Sequence, residues 1–289
     1  MSAGPGFSSP PVARRVRHLV LVLCWLLPVA GPAAPQRVVS INLCTDELAL
    51  LLARPGQLVA VTHLVKDPQL SSYWHKASML RSHNNSLEQI LSFEPDLVLA
   101  SRLTPVLLRN RLRRLGIQVY LLPVATDTTQ VKQNLRALGK LLGTSDKADL
   151  LAGRLQRQLR KLNHPGAATP ALKVLTYYPG GWTRSGDTLL NHLVALAGMQ
   201  NLLPASSHDW STLSVEQLLR LDPDLLILVR PDDTAPSLSM LLMQHPALGY
   251  YRQRRRVVTL PTRWLSCGSP SVARALQRLY RFRHGRPGR

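Results

Sequence analysis

The chain has 289 residues, enough for two domains of ordinary size, and a hydrophobic content of 45% can supply a core for each. Lysine and arginine outnumber aspartate and glutamate by 36 to 16, so the formal net charge is +20. Such a charge attracts nucleic acids, anionic lipids and small anions alike and does not choose among them. The sequence after Ala30 has no run long and apolar enough for a membrane span, which excludes a polytopic membrane protein.

The first 34 residues have the order of charged and apolar segments found in secretory signals. Three arginines between residues 14 and 17 precede an apolar run from Leu19 to Ala30, and small residues follow at Gly31 and Ala33. The run is short for a membrane span, and a retained anchor helix is the alternative. We therefore predict a cleaved signal over residues 1–34 and export to the periplasm, a destination that argues against a nucleic-acid partner.

Residues 35–127 alternate between strand-like and helix-like patterns, which predicts a first α/β lobe. A buried strand is expected over Arg37–Leu43, and Thr45 or Asp46 is the predicted cap of the helix that follows. Further strands are predicted over Leu58–Val61, Leu97–Ala100 and Val119–Pro123, with a helix over Pro105–Leu115. This alternation favours a parallel sheet with helices on both faces.

The sequence pattern of residues 128–163 predicts a helical connector between the two lobes. One helix covers Thr129–Leu142 and ends at Gly143, and a second helix continues to about Leu162. In the second helix four leucines share one stripe, at positions 151, 155, 159 and 162. A helix of this length is roughly 25 Å long. Because a helix is stiff, we expect little hinge bending between the segments that it joins.

Residues 164–281 repeat the plan of the first lobe, and residues 282–289 form a basic tail whose charges are expected to face solvent. The predicted strands are Lys173–Tyr178, Leu225–Val229 and Arg256–Leu260, and the predicted helices are Asp187–Ala197, Leu238–Gln244 and a final one from about Val272. A glycine turn at Gly180 and Gly181 follows the first of these strands. No insertion is large enough for a third domain.

A duplicated segment supports the two-lobe interpretation. Ser86–Leu99 and Ser214–Leu228 share Ser, Glu, Gln, Leu, Pro, Asp and Leu at equivalent positions, so that Glu88 corresponds to Glu216. Each copy predicts a short amphipathic helix, a proline that ends it and a buried strand. The predicted fold class is therefore α/β, with two lobes that each contain a mostly parallel sheet flanked by helices, joined by a long rigid α-helix.

The duplicated segment, the signal and the connector together resemble the class III periplasmic binding proteins of ABC importers over about Arg37–Tyr280. The spacing of Trp210 and Glu216 is similar to that in the cobalamin-binding members. The resemblance implies a monomer that holds a corrinoid, a ferric siderophore or haem between its lobes and delivers it to a permease in the inner membrane. It implies no cofactor and no nucleic-acid partner.

Two site roles follow from this resemblance. In the family, the motif glutamate of each lobe pairs with arginines on the permease, so Glu88 and Glu216 are the docking candidates. One carboxylate on each lobe provides two separated contacts that fix orientation on a two-fold symmetric partner. The alternative is that both glutamates are acidic residues at helix starts, where the helix dipole favours them.

Ligand contact is the second role. Trp210 matches a tryptophan that stacks on ligand in the family, Trp264 lies near another aromatic position, and Trp74 and Trp182 lie in loops predicted at the same crevice. Flat aromatic faces suit a macrocycle or a catecholate. Among the arginines that follow predicted strands, Arg102, Arg184 and Arg263 favour instead an anionic iron complex or haem propionates. Packing at a domain edge and solvent exposure are the alternatives for these residues.

The cysteines leave several alternatives open. Removal of the signal leaves Cys44 and Cys267, one in each lobe, and an oxidising compartment favours a disulfide between them. Such a bond would staple the lobes together, and it requires α-carbons within about 7 Å. The other interpretations are two free thiols or thiols that contact a ligand or a metal.

The sequence does not indicate catalysis. It contains no G-x-S-x-G, H-E-x-x-H or phosphate-binding G-x-x-x-x-G-K motif, and its histidines lack the spacing of metal ligands. We therefore expect a binding protein without enzymatic activity, bound metal or cofactor. An exported enzyme or sensor domain on the same two-lobe fold is the alternative.

Overall fold

The computed structural model describes residues 1–2, 4, 34–162, 170–203, 210–232 and 237–285. The chain separates into one compact unit over residues 1–34 and a second over residues 35–289. The predicted signal lies almost entirely outside the described residues, as does the end of the predicted basic tail. None of the helices in the described ranges is both long enough and apolar enough to cross a membrane.

The first lobe contains a sheet of five parallel strands. These are Val38–Ser40 (β1), Leu58–Thr62 (β2), Arg81–His83 (β3), Leu97–Ser101 (β4) and Gln118–Leu122 (β5), in the spatial order β3-β2-β1-β4-β5. Leu97 and Leu99 pack into one apolar cluster, while Val98 and Ala100 pack into another. Because successive side chains of a strand point to opposite faces, the central strand β4 is buried from both sides.

Side chains from helices complete both of these apolar clusters. The first-lobe helices are Leu43–Leu52 (α1), Trp74–Ala77 (α2), Leu87–Leu91 (α3) and Val106–Arg114 (α4). Leu48 and Leu52 of α1 lie on one side of the sheet, and Ile90 of α3 and Leu112 of α4 lie on the other. The predicted sheet with helices on both faces is therefore confirmed for the first lobe.

Two long helices connect the lobes, Thr128–Leu142 (α5) and Ser145–Leu162 (α6). Gly143 ends α5 with a left-handed backbone (φ 70°), as the sequence predicted. Helix α6 contributes Ala148 and Ala152 to the first-lobe core and Leu155 and Leu159 to the second-lobe core. The buried stripe therefore begins with two alanines, whereas the predicted stripe began at Leu151, which is only half-buried.

The second lobe contains a four-stranded parallel sheet and a two-stranded antiparallel ribbon. The strands are Leu172–Tyr177 (β6), Trp182–Arg184 (β7), Met199–Asn201 (β8), Trp210–Thr212 (β9), Leu225–Arg230 (β10) and Val257–Pro261 (β11). The sheet has the order β11-β10-β6-β8, and β7 pairs with β9 in the ribbon. The helices are Leu189–Leu196 (α7), Val215–Leu221 (α8), Leu238–Leu241 (α9), Pro246–Gln253 (α10) and Val272–Arg283 (α11).

The duplicated segments occupy equivalent places in the two sheets. Strand β4 pairs with β1, the first strand of its lobe, and β10 pairs in the same way with β6. Asp96 accepts hydrogen bonds from the backbone N–H of Arg37 (3.1 Å), and Asp224 accepts one from that of Lys173 (2.8 Å). In each lobe the motif aspartate thus fixes the start of the first strand, which explains why this aspartate occurs twice.

Some local predictions were wrong. The cap of α1 is Asn42, whose side chain accepts a hydrogen bond from the backbone N–H of Cys44 (3.0 Å), whereas Thr45 and Asp46 are buried inside the helix. Asp46 is instead used as an acceptor for Thr62 of β2. The short strands β3, β7, β8 and β9 were not predicted, because elements of three residues show no hydrophobic period. The eight-residue helix α10 was also missed, and its Gly249 lowers the helix propensity of that segment.

Candidate ligand-binding cleft

A cavity of about 210 Å³ lies between the two lobes, where the carboxyl ends of their strands meet. The first lobe lines it with Asn42 after β1, Ser101 at the end of β4 and the segment 122–126, which begins at the last residue of β5. The second lobe contributes Tyr178 after β6 and Arg184 at the end of β7, among others. An open α/β sheet presents its crevice at this edge, so the cavity lies where the fold places ligands on general grounds.

Four side chains of the second lobe form an aromatic–arginine cluster beside this cavity: Tyr178, Trp182, Arg184 and Trp210. The ribbon brings them together, because Arg184 of β7 lies directly opposite Trp210 of β9. The Arg184 guanidinium lies over the Trp210 ring, 4.7 Å from its centroid, and Tyr178 meets the same ring edge-on at 4.9 Å. Trp182 and Trp210 are each 45% exposed, so their rings offer apolar surface to a ligand.

The cluster combines a fixed charge with a neutral phenol. Burial raises the pKa of Tyr178 to about 12, and the positive charge of Arg184 opposes that rise. The Tyr178 hydroxyl is therefore protonated at neutral pH and can donate a hydrogen bond as well as accept one. Arg184 supplies a permanent cation beside two aromatic faces, an arrangement suited to a flat ligand that carries negative charge or polar substituents.

The other predicted ligand residues are dispersed. Trp74 is half-buried and stacks on His75 at 3.4 Å between ring centroids, and Arg102 is exposed beside Leu103, which lines the cavity. Arg263 is engaged in an ion pair with Asp232. Trp264 packs against the second-lobe core and lines a different groove. Of the seven residues, only Arg184 lines the cavity itself, and Trp182 and Trp210 lie beside it.

Several bonds join the lobes next to the cavity; we call this set the interlobe clamp. Cys44 and Cys267 form a disulfide, with 4.9 Å between their α-carbons. The Ser72 hydroxyl donates to the carbonyl oxygen of Arg263 (2.9 Å), and the Arg263 guanidinium donates to that of Pro68 (3.0 Å). Arg263 therefore connects the second lobe to a loop of the first, and Cys44 lines the cavity from the same side.

Two adjacent carboxyl groups are buried at the first-lobe side of the clamp. Asp46 is fully buried and accepts hydrogen bonds from the hydroxyl (2.5 Å) and backbone N–H (3.3 Å) of Thr62. Burial raises the pKa of Asp46 to about 8, against the opposing effect of its hydrogen bonds. Burial also raises the pKa of Glu47, whose carboxylate accepts from the Ser71 hydroxyl (2.8 Å). Glu47 thereby stabilises the loop that carries Ser72, whereas Asp46 binds β2 through Thr62, and neither residue is in the described lining of the cavity.

The two motif glutamates lie at equivalent helix starts. Glu88 is the second residue of α3 and Glu216 the second residue of α8, and both are exposed. A serine caps each helix, Ser86 in the first lobe and Ser214 in the second. A hydrogen bond from Ser214, more than any other contact, lowers the pKa of Glu216. The backbone carbonyl of Glu88 accepts a hydrogen bond from Ser92 (3.0 Å), but its carboxylate has no hydrogen bond or ion pair with another described residue.

Sequence reasoning missed Tyr178, the residue that connects Trp210 to the cavity. The sequence contained a signal for it, because the second tyrosine of the segment KVLTYYP is the last residue of a predicted strand, at the edge where ligands bind. Within the described ranges, the structure contains no group of three or more His, Cys, Asp or Glu side chains that could hold a metal ion.

Comparison with known proteins identifies the family. The sequence profile of the family described as periplasmic binding protein matches residues 38–261. The chain belongs to this family. It is 27% identical over 270 residues to the vitamin B12-binding protein of Pectobacterium carotovorum, covering 90% of this chain and 94% of that protein. It is also 27% identical over 251 residues to the vitamin B12-binding protein of Photorhabdus laumondii, covering 86% of this chain and 87% of that protein.

Solved structures of periplasmic binding proteins share the fold. The vitamin B12-binding protein BtuF of Vibrio cholerae superposes with a TM-score of 0.70 at 19% identity, over 88% of this chain and 99% of that one. A periplasmic haem-binding protein of Pseudomonas aeruginosa superposes with a TM-score of 0.69 at 23% identity, over 86% of this chain and 92% of that one. The two-lobe α/β fold predicted from the duplicated segment is thereby confirmed, and the chain is a substrate-binding protein of the periplasmic binding protein family.

Proposed function

We propose that this periplasmic binding protein is exported, captures a corrinoid or an iron chelate such as haem or a ferric siderophore, and delivers it to the permease of an ABC importer. The observation that carries this proposal is the aromatic–arginine cluster beside the interlobe cavity. Two exposed indole rings next to a guanidinium provide a flat apolar surface and a cation in one place. Macrocycles and iron chelates combine flat faces with anionic or polar edges, so they match both features.

The size of the cavity indicates how such a ligand binds. Its volume of about 210 Å³ is below the range of roughly 300–1,000 Å³ that encloses a drug-sized ligand. A macrocycle therefore rests at the mouth, on Trp182 and Trp210, and only its substituents enter the cavity. Because the interlobe clamp and α6 tie the lobes together, we expect closure around the ligand to be small.

The relatives support the ligand class. Curated proteins that share about a quarter of their residues with this chain over most of its length are vitamin B12-binding proteins, and solved structures with the same fold include haem-binding proteins. The charge of Arg184 favours ligands with carboxylate or catecholate oxygens. The tryptophan faces suit a corrinoid, haem and a ferric siderophore equally well.

The docking role of Glu88 and Glu216 is part of the proposal. The serine, glutamine and aspartate of each motif have structural roles as a helix cap, an acceptor for backbone N–H and an anchor of the first strand. The glutamates are exposed, and folding does not explain why they occur twice. One carboxylate on each lobe suits contact with a two-fold symmetric permease that presents cations.

Titration of the purified mature protein with cyanocobalamin, haem and a panel of ferric siderophores, followed by tryptophan fluorescence quenching, tests the ligand class. Saturable quenching by one of them, reduced in a Trp210→Ala variant, is the expected result. Saturable binding that Trp210→Ala and Trp182→Ala leave unchanged would place the ligand elsewhere. Lack of binding by every member of the panel, before and after reduction of the disulfide, would contradict the ligand class.

A further inference from the structure

A second concave surface lies on the second lobe, between the edge strand β11 and the final helix α11. It is an open groove of about 730 Å³, which we call the arginine groove. Five arginines line it, Arg252, Arg255, Arg274, Arg278 and Arg281. Its apolar surface comes from Val257, Val258, Trp264 and Phe282. The described lining contains no acidic residue, so the groove combines a strong positive potential with an apolar floor.

The charges of the arginine groove are not neutralised within the described chain. Arg255, Arg274, Arg278 and Arg281 have no hydrogen bond or ion pair from their guanidinium groups to another described residue. Arg274, Arg278 and Arg281 follow one another on one face of α11, where like charges one turn apart repel. By contrast, nearby Arg256 pairs with Asp222 at 3.0 Å. Within the described chain, these four arginines thus form a surface that an anionic partner would stabilise.

The groove also runs along a free strand edge. Among the described residues β11 is the last strand of its sheet and pairs only with β10. Val257, Val258 and Thr259 all line the groove, although successive side chains of a strand point to opposite faces. The groove therefore follows the edge of the strand, where backbone N–H and C=O groups are available to another strand.

Two further observations bear on the partner of this groove. The indole N–H of Trp264 is buried next to the groove and has no hydrogen-bond partner among the described residues. A second groove of about 530 Å³, lined by Arg154 and Lys161, shares Arg274 and Gln277 with the first. The positive surface thus continues across α11 and is longer than a single small ion requires.

We propose that the arginine groove binds an extended acidic peptide segment of a partner protein. The segment adds to the edge of β11 through backbone hydrogen bonds, while its carboxylates face the arginines of α11. Alternate side chains of an added strand point towards the same face, so acidic residues at every second position would meet Arg274 and Arg278. This surface is separate from the interlobe cavity, with which it shares none of the described lining residues.

The test measures fluorescence anisotropy of a labelled peptide with alternating glutamate and valine as the purified full-length mature protein is added. We expect saturable binding that weakens about tenfold in an Arg274→Ala/Arg278→Ala variant. The matched control is Arg111→Ala/Arg113→Ala, which removes the same charge from exposed positions of α4 and should change the affinity less than twofold. Circular dichroism melting verifies that both variants remain folded.

The strand pairing is tested separately with the same peptide methylated at alternate backbone nitrogens, which removes donors without changing charge. About tenfold weaker binding of the methylated peptide supports pairing with β11. Equal affinity for the two peptides would overturn the proposal. An equal loss of peptide affinity in the Arg274→Ala/Arg278→Ala variant and in the Arg111→Ala/Arg113→Ala control would also overturn it. Binding to phosphatidylglycerol vesicles, lost in the groove variant and without any peptide binding, would likewise overturn it in favour of a lipid surface.

Discussion

Cys44, at the start of α1, is bonded to Cys267, which precedes α11, and these two residues are separated by 223 positions in the chain. The bond lies beside the cavity and is reinforced by the hydrogen bond from Ser72 to Arg263. A cross-link over so long a loop strongly restricts the unfolded chain. The lobes are thus held together beside the cavity, while Trp182 and Trp210 remain exposed.

The disulfide should make a large contribution to stability. Replacing both cysteines in a Cys44→Ser/Cys267→Ser variant is expected to lower the free energy of unfolding by about 2–5 kcal/mol, because the unfolded state regains its loop entropy. Guanidinium denaturation of the wild type and the variant measures the difference. The wild type with reductant should behave like the variant, and a midpoint that does not respond to reductant would contradict the prediction.

The buried carboxyl of Asp46 predicts a pH dependence of stability. Its pKa of about 8 in the folded state exceeds the value of 3.8 expected when it is exposed, so the folded state holds the proton more tightly. The contribution of Asp46 to the free energy of unfolding is therefore greatest below about pH 4, and it falls as the pH rises towards 8. The slope approaches about 1.4 kcal/mol per pH unit within that window.

An Asp46→Asn variant should remove this dependence, since the amide oxygen still accepts from Thr62 and no proton is lost. Denaturation midpoints of the variant should exceed those of the wild type at pH 8 and approach them at pH 4. Asp149→Asn, at an exposed aspartate paired with Arg136, is the control and should leave the pH profile unchanged. A variant with the same pH profile as the wild type would show that Asp46 is already ionised.

The aromatic–arginine cluster predicts how ligands are distinguished. Arg184→Ala should weaken binding of an anionic ligand such as haem by about 10- to 100-fold, because a charge-assisted contact is lost, and should affect cyanocobalamin less. Trp210→Ala should weaken both ligands by about tenfold through the loss of an aromatic face. Isothermal titration calorimetry measures each affinity. Equal effects of Arg184→Ala on both ligands would argue against a charge contact.

The motif glutamates should affect delivery and not capture. A Glu88→Gln/Glu216→Gln variant is expected to keep its ligand affinity and to lose stimulation of the permease ATPase in proteoliposomes, because both docking carboxylates are gone. Asp146→Asn/Asp149→Asn removes the same charge from α6 and should retain stimulation. Reduced ligand affinity in the glutamate variant would contradict the docking role.

The connector helices offer a matched pair of glycines. A Cβ on Gly139 of α5 would overlap the Cβ of Ala148 on α6, whereas a Cβ on Gly153 would meet only the Arg157 side chain at 3.5 Å. Gly153→Ala should therefore raise stability by about 0.5–1 kcal/mol through helix propensity. Gly139→Ala should lower it, because the two helices must separate. Thermal melts of both variants provide the comparison, and a stabilising Gly139→Ala would contradict this packing.

Much of the fold was predictable from local patterns. The prolines and apolar runs of the duplicated segments located α3, β4, α8 and β10, because a proline ends a helix and a strand buried on both faces is continuously apolar. Gly143 located the break between α5 and α6 in the same way. The two lobes, the helical connector and the exposed motif glutamates follow from features that act over a few residues.

The composition of the cleft was decided by the tertiary structure. Trp182 and Trp210 have no relationship in the sequence, and only the antiparallel pairing of β7 with β9 brings them within 6.4 Å of each other and beside Arg184. Arg263 follows a predicted strand as Arg184 does, and Trp264 is next to it, yet packing directs Arg263 to an ion pair and Trp264 to a separate groove. Local residue patterns thus determined the elements and their order, whereas side-chain direction and partners depended on contacts between residues distant in the chain.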